Sequence, residues 1–90
     1  MVKDYAAVSA EFRQAEVLFE SNPILALRQM VDLYAQASQA LNHEVADAIE
    51  LWIYENPRLD IVDYIKTKIG QSNAVNHVYL KWIDGLHARL

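Results

Sequence analysis

Apolar side chains along this chain recur at alternating steps of three and four, the period that aligns residues on one face of a helix. Tyr5, Val8, Phe12, Ala15 and Phe19 form the first stripe and predict a helix over about residues 3–20. Ser21-Asn22-Pro23 then stops the pattern. Asn22 suits an N-cap, and Pro23 at the first helical position gives up no donor that the helix needs. Ile24, Leu27, Val31, Tyr34, Ser38 and Leu41 carry a second helix, about 23–41, and Asn42 is the next cap. Val45, Ala48, Ile49, Trp52 and Ile53 mark a third, about 43–55. Ala46, Leu51 and Tyr54 spread its apolar character around the cylinder, which predicts a place at the centre of the bundle or under a second subunit.

Asn56-Pro57 repeats the start signal, and Leu59, Ile61, Val62, Ile65 and Ile69 continue a fourth helix, about 57–69, with Gly70 just past its end. Ser72 or Asn73 can cap a fifth, about 73–89, whose stripe runs through Val75, Val78, Tyr79, Trp82, Ile83, Leu86 and Leu90. Five helices with short linkers predict one all-α domain over residues 1–90. Pro23 and Pro57 are one tetratricopeptide period apart, but Leu33 and Val45 fill the positions where helix pairs of that repeat need small residues. The shared Asn-Pro signal is two caps, not a repeat.

Composition narrows the class. Apolar residues make up 53% and charged residues 22% of the chain, the range of a globular domain. The absence of Cys removes disulfides, thiolate metal sites and a Cys nucleophile. No apolar run exceeds four residues, so no membrane span or signal-peptide core is expected, and a cytoplasmic location follows as the expectation. The net charge of −4 is unevenly placed. Lys3, Arg13 and Arg28 face nine carboxylates in residues 1–57, whereas Arg58, Lys66, Lys68, Lys81 and Arg89 outnumber Asp60, Asp63 and Asp84 in the rest. An acidic front and a basic tail attract each other within a fold or between subunits, or recruit different partners.

Catalytic constellations are not found. Ser9, Ser21, Ser38, Ser72 and Thr67 lie in no strained elbow, and two isolated glycines make no phosphate cradle. His77, Asp84 and His87 share a face of the last helix, but the two histidines stand about 15 Å apart at 1.5 Å per residue, too far for one ion. The pairs Asp84/His87 and His43/Asp47 are at surface ion-pair spacing. No enzyme activity, cofactor or metal is expected.

Residues 67–82 resemble the turn and recognition helix of phage-repressor-type DNA-binding motifs, with Gly70 at the turn and Val75, Val78 and Tyr79 as the apolar ladder. That resemblance implies a helix-turn-helix over about residues 60–82. Lys66, Lys68, Gln71, Ser72, Asn73, Asn76, His77 and Lys81 would then contact phosphate or base edges. Two departures stand against it. Lys66 occupies the position where the motif has a small residue, and the step from turn to ladder is one residue short.

The main expectation is a small acidic helical protein–protein interaction module: an inhibitor, an immunity- or antitoxin-like protein, or an assembly or regulatory factor. Nine aromatics exceed what a domain this small covers fully. Trp52 with Leu51 and Tyr54 is the expected exposed patch or dimer contact, flanked by Glu44, Asp47, Glu50 and Glu55 as a grip for a basic protein partner, and a homodimer is expected through this third helix or through the aromatic stripe of the fifth. In size and class the chain is similar to helical bacteriocin immunity proteins. Its Asn22-Pro23 helix start, followed by Ile-Leu-Ala-Leu, resembles one in the RuBisCO assembly chaperone family. Neither resemblance extends to functional residues.

Overall fold

Three helices open on a side chain that satisfies an otherwise free backbone amide. Asp4 accepts from the Ala7 N–H at 2.8 Å, Asn22 from Leu25 at 3.2 Å and Asn42 from Val45 at 3.1 Å. In the computed structural model, which describes residues 4–71 and 73–90 with Asn73 as backbone only, these caps begin α1 (Tyr5–Ser21), α2 (Pro23–Gln39) and α3 (His43–Glu55). Then come α4 (Leu59–Lys68), a 3-10 turn (Asn73–Val75) and α5 (Asn76–Arg89). The domain is an all-α bundle, as the periodicity predicts, with no strand among the described residues.

The boundaries depart from expectation where local signals compete. Asn56-Pro57 does not start α4. The Asn56 side chain turns back and donates to the Trp52 carbonyl at 2.8 Å, closing the end of α3, and α4 begins two residues after Pro57. At the identical Asn22-Pro23 the side-chain oxygen instead accepts from the Leu25 N–H, and the cap forms. At the end of α2 the chain leaves the helix at Ala40, and Leu41 adopts a left-handed φ of 56°. Leu41 N–H reaches the Ser38 carbonyl and Asn42 N–H the Ala37 carbonyl, the paired bonds of a Schellman ending in which glycine usually takes the left-handed place. Leu41 is therefore thrown to solvent instead of joining the α2 stripe. Gly70, with φ 93°, stands one residue past the Ile69 C-cap, as predicted. Ser72 and the Asn73 side chain, the predicted caps of α5, lie outside the described residues.

The hub of the bundle is α2, not the more uniformly apolar α3. It packs against α1, α3 and α4, and it meets α5 where the Tyr79 hydroxyl donates to the Val31 carbonyl at 2.7 Å. Its buried residues Ala26, Leu27, Met30, Val31, Leu33 and Ala37 explain the role, because small residues at 26 and 37 let neighbouring helices approach closely. α1 packs on α2 and α3, and α5 packs on α3 and α4.

Two devices fix the packing of the helices. Asn42 is fully buried, and its Nδ2 donates to the Tyr5 carbonyl at 3.1 Å and to Ser9 Oγ at 2.9 Å. One side chain thus caps α3 and ties it to α1. Tyr34 of α2 and Tyr79 and Trp82 of α5 form an aromatic cluster, with Tyr34 and Trp82 edge to face at 4.7 Å. No buried side-chain polar atom among the described residues lacks a hydrogen-bond partner.

Candidate functional site

α3 buries Val45, Ala46, Ile49 and Ile53 toward the core, which leaves the opposite side of the helix to solvent or to its neighbours. Glu50 points along the edge to α5, where its Oε2 accepts from Trp82 Nε1 at 3.2 Å. Tyr54 lies on the same edge. Its ring covers Gly85, and the Arg89 guanidinium sits 4.6 Å from the ring centroid. On the other edge Trp52 packs against Phe19 with centroids 4.7 Å apart. These three members of the expected interface are therefore half-buried parts of the fold, engaged with their own chain.

The other four come together. Glu44, Asp47, Leu51 and Glu55 follow one another at steps of three and four, within about 80° of arc at 100° per residue, and all are exposed. Leu51 exposes 58% of its surface in the middle of this stripe. The ion pairs among the described residues are Arg58–Asp60 and Lys68–Asp32, so none of the three stripe carboxylates is in one. Of the three, Asp47 acts on a neighbouring phenol, that of Tyr34, behind burial and Glu50. Tyr34 is raised by burial and then by Glu50 and Asp47, and Tyr54 by burial and then by Glu50, with Arg89 opposing.

The residues of the helix-turn-helix alternative are divided. Lys68 is held at 2.9 Å from Asp32 on α2, and Asp32 also accepts the Tyr64 hydroxyl at 2.8 Å. That contact raises Lys68, and burial followed by the Asp32 hydrogen bond raises Tyr64. The contact is part of the attraction between acidic front and basic tail, and it operates within the fold. Gln71 donates to the Thr67 carbonyl at 2.9 Å, and Asn76 accepts from the Gly70 N–H at 3.3 Å. Lys66, His77 and Lys81 are exposed, in company with Asp63 and Asp84 on the same two helices. Ser72 and the Asn73 side chain lie outside the described residues.

Sequence reasoning missed the Asp32–Tyr64–Lys68 cluster. It borders a groove of about 340 Å³ that Gln36 and Gln71 also line. Asp32 and Gln36 face a second groove, of about 270 Å³, between α1 and α2. No signal in the sequence links positions this far apart. No group of three or more His, Cys, Asp or Glu side chains among the described residues is placed to hold a metal ion, and no helix among them is long and apolar enough to cross a membrane. No family model, no curated protein and no solved structure matches this chain.

Proposed function

We propose that this chain is a cytoplasmic, non-catalytic protein–protein interaction module that docks a partner on the outer face of α3. It acts by occupancy, as an inhibitor, an immunity- or antitoxin-like protein or an assembly or regulatory factor does. One observation carries the reading: Leu51 stands 58% exposed among Glu44, Asp47 and Glu55, none of which is in an ion pair among the described residues. A leucine ringed by carboxylates suits a partner with an apolar recess rimmed by cations. The recess supplies burial energy, and the rim charges supply orientation and association rate. DNA binding ranks below this reading, since Lys68, Gln71 and Asn76 are committed to their own chain.

The test is a photo-crosslinking residue placed at Leu51 in the protein's native cells. Val17, 73% exposed on α1, serves as the control position. A discrete adduct at 51 that is absent at 17 and lost with Asp47→Lys supports the reading. Identical background at both positions overturns it.

A further inference from the structure

We propose that the exposed crest of α2 is a second binding site, separate from the α3 face, which takes a short polar peptide segment in extended conformation. Asp32 and Gln36 line both the α1–α2 groove and the groove toward α4 and α5, so they stand between the two. On one side the wall is Glu11 and Gln14 of α1 with Gln29 of α2. On the other it is Lys68 of α4, Gln71 just beyond it and Tyr79 of α5. Four of the chain's five glutamines, at positions 14, 29, 36 and 71, thus border one continuous surface.

The crest is held from within the chain. The Asp32 carboxylate accepts from the Tyr64 hydroxyl at 2.8 Å and from Lys68 Nζ at 2.9 Å, while the Arg28 guanidinium lies 5.3 Å from the Tyr64 ring centroid. A carboxylate has about four acceptor sites, and the Asp32 side chain is 41% exposed, so the fixed group keeps room for a donor from outside. Gln71 spends its amide N–H on the Thr67 carbonyl. The amides of Gln14, Gln29 and Gln36 make no hydrogen bond with their own chain among the described residues, although Gln36 is half-buried. Each carries the donor and acceptor of a peptide group.

Spacing selects the conformation of the ligand. Asp32 and Gln36 are about 6 Å apart at 1.5 Å of rise per residue, and an extended chain turns the N–H and C=O of every second residue to the same edge at intervals of about 6.7 Å. A strand laid edge-on along the crest gives one N–H to Asp32 and exchanges both groups with Gln36 two residues further on. Its side chains then point alternately to left and right, into the two grooves. The walls are polar and carry both signs, which suits amide, hydroxyl and singly charged side chains. Glu11 and Asp32 outnumber Lys68 there, which disfavours a polyanionic strand. Tyr79 is only 1% exposed, so it gives a nucleic-acid base no ring to stack on.

The experiment selects a random heptapeptide phage library against the full chain and measures the selected peptides, made synthetically, by fluorescence anisotropy. Dissociation constants of roughly 10–500 μM are expected, because a flexible peptide loses its freedom on docking. Gln36→Ala removes an amide that bonds to nothing in the fold, and it should weaken the peptides about tenfold with helical circular dichroism retained. N-methylation of the peptide backbone should cost about tenfold at every second residue and little at the residues between, since each methyl removes a donor from one edge only. Leu51→Glu on the α3 face should leave peptide binding unchanged. Failure to select any peptide overturns the inference, as does binding that Gln36→Ala leaves intact or that Leu51→Glu removes. An N-methyl scan without the two-residue period overturns it too. So does a mixed-sequence RNA hexamer that binds through Gln36 where the peptides do not.

Discussion

Gly85 offers a test in which two physical effects have opposite signs. It lies inside α5, where glycine is about 1 kcal/mol worse than alanine, so propensity alone says that Gly85→Ala stabilises the domain. The structure says otherwise. A Cβ at this position would lie 2.5 Å from Tyr54 Cε1, 3.1 Å from its hydroxyl oxygen and 3.2 Å from Cζ. The ring must then leave its seat on α5 and its contact with Arg89. Re-exposing half of a tyrosine at about 25 cal/mol per Å² costs about 1–1.5 kcal/mol, and the exposed cation–π contact adds about 0.5 kcal/mol. The loss of roughly 2 kcal/mol outweighs the gain of roughly 1, so Gly85→Ala should destabilise by about 1 kcal/mol. In a Tyr54→Ala background the ring is gone, and the same substitution should stabilise by about 1 kcal/mol. Urea unfolding followed by circular dichroism of the four proteins closes the double-mutant cycle, with an expected coupling of about 2 kcal/mol. Stabilisation by Gly85→Ala in both backgrounds would refute the close approach of α3 and α5.

Asn42→Ala should cost about 2–4 kcal/mol by urea denaturation, because it removes an N-cap and two donated hydrogen bonds at a fully buried site; a loss below about 1 kcal/mol would mean that the cap alone matters. Leu41→Gly should raise the thermal midpoint by about 2–5 °C, since relief of a left-handed leucine exceeds the added freedom of the unfolded chain, and a lowered midpoint would contradict the Schellman ending. Tyr79 is raised well above the usual phenol range, by burial first and then by Asp32, Tyr64 and Tyr34. A phenol raised in the folded state binds more protons there than in the unfolded chain. Its contribution is therefore fully present below the unfolded value near pH 10 and is lost as pH climbs toward the folded one. Tyr34, Tyr54, Tyr64 and Lys68 are raised too and lose stability in the same alkaline window. Unfolding free energy should thus fall steeply above about pH 10 and less steeply in Tyr79→Phe, and a flat profile to pH 11 would overturn the assignment.

The five helices were legible in the chain because helix formation is decided within a few residues. A 3.6-residue apolar period sets the face, and an asparagine three residues ahead of a free amide sets the start, as at Asn22 and Asn42. The exposed stripe of α3 was legible only in part: its spacing puts Glu44, Asp47, Leu51 and Glu55 on one face, but the expected interface also took in Glu50, Trp52 and Tyr54, which the fold engages with α5 and α1. Asn56 shows where such reasoning ends: the dipeptide that starts α2 closes α3 when the Trp52 carbonyl is within reach. Only the tertiary structure decided that α2 is the hub, that Glu50 serves Trp82, that Lys68 serves Asp32 and that Tyr54 rests on Gly85. Each of these pairs joins positions about thirty or more residues apart. Their meeting depends on how the helices cross, and a pattern confined to one helix carries no information about that crossing.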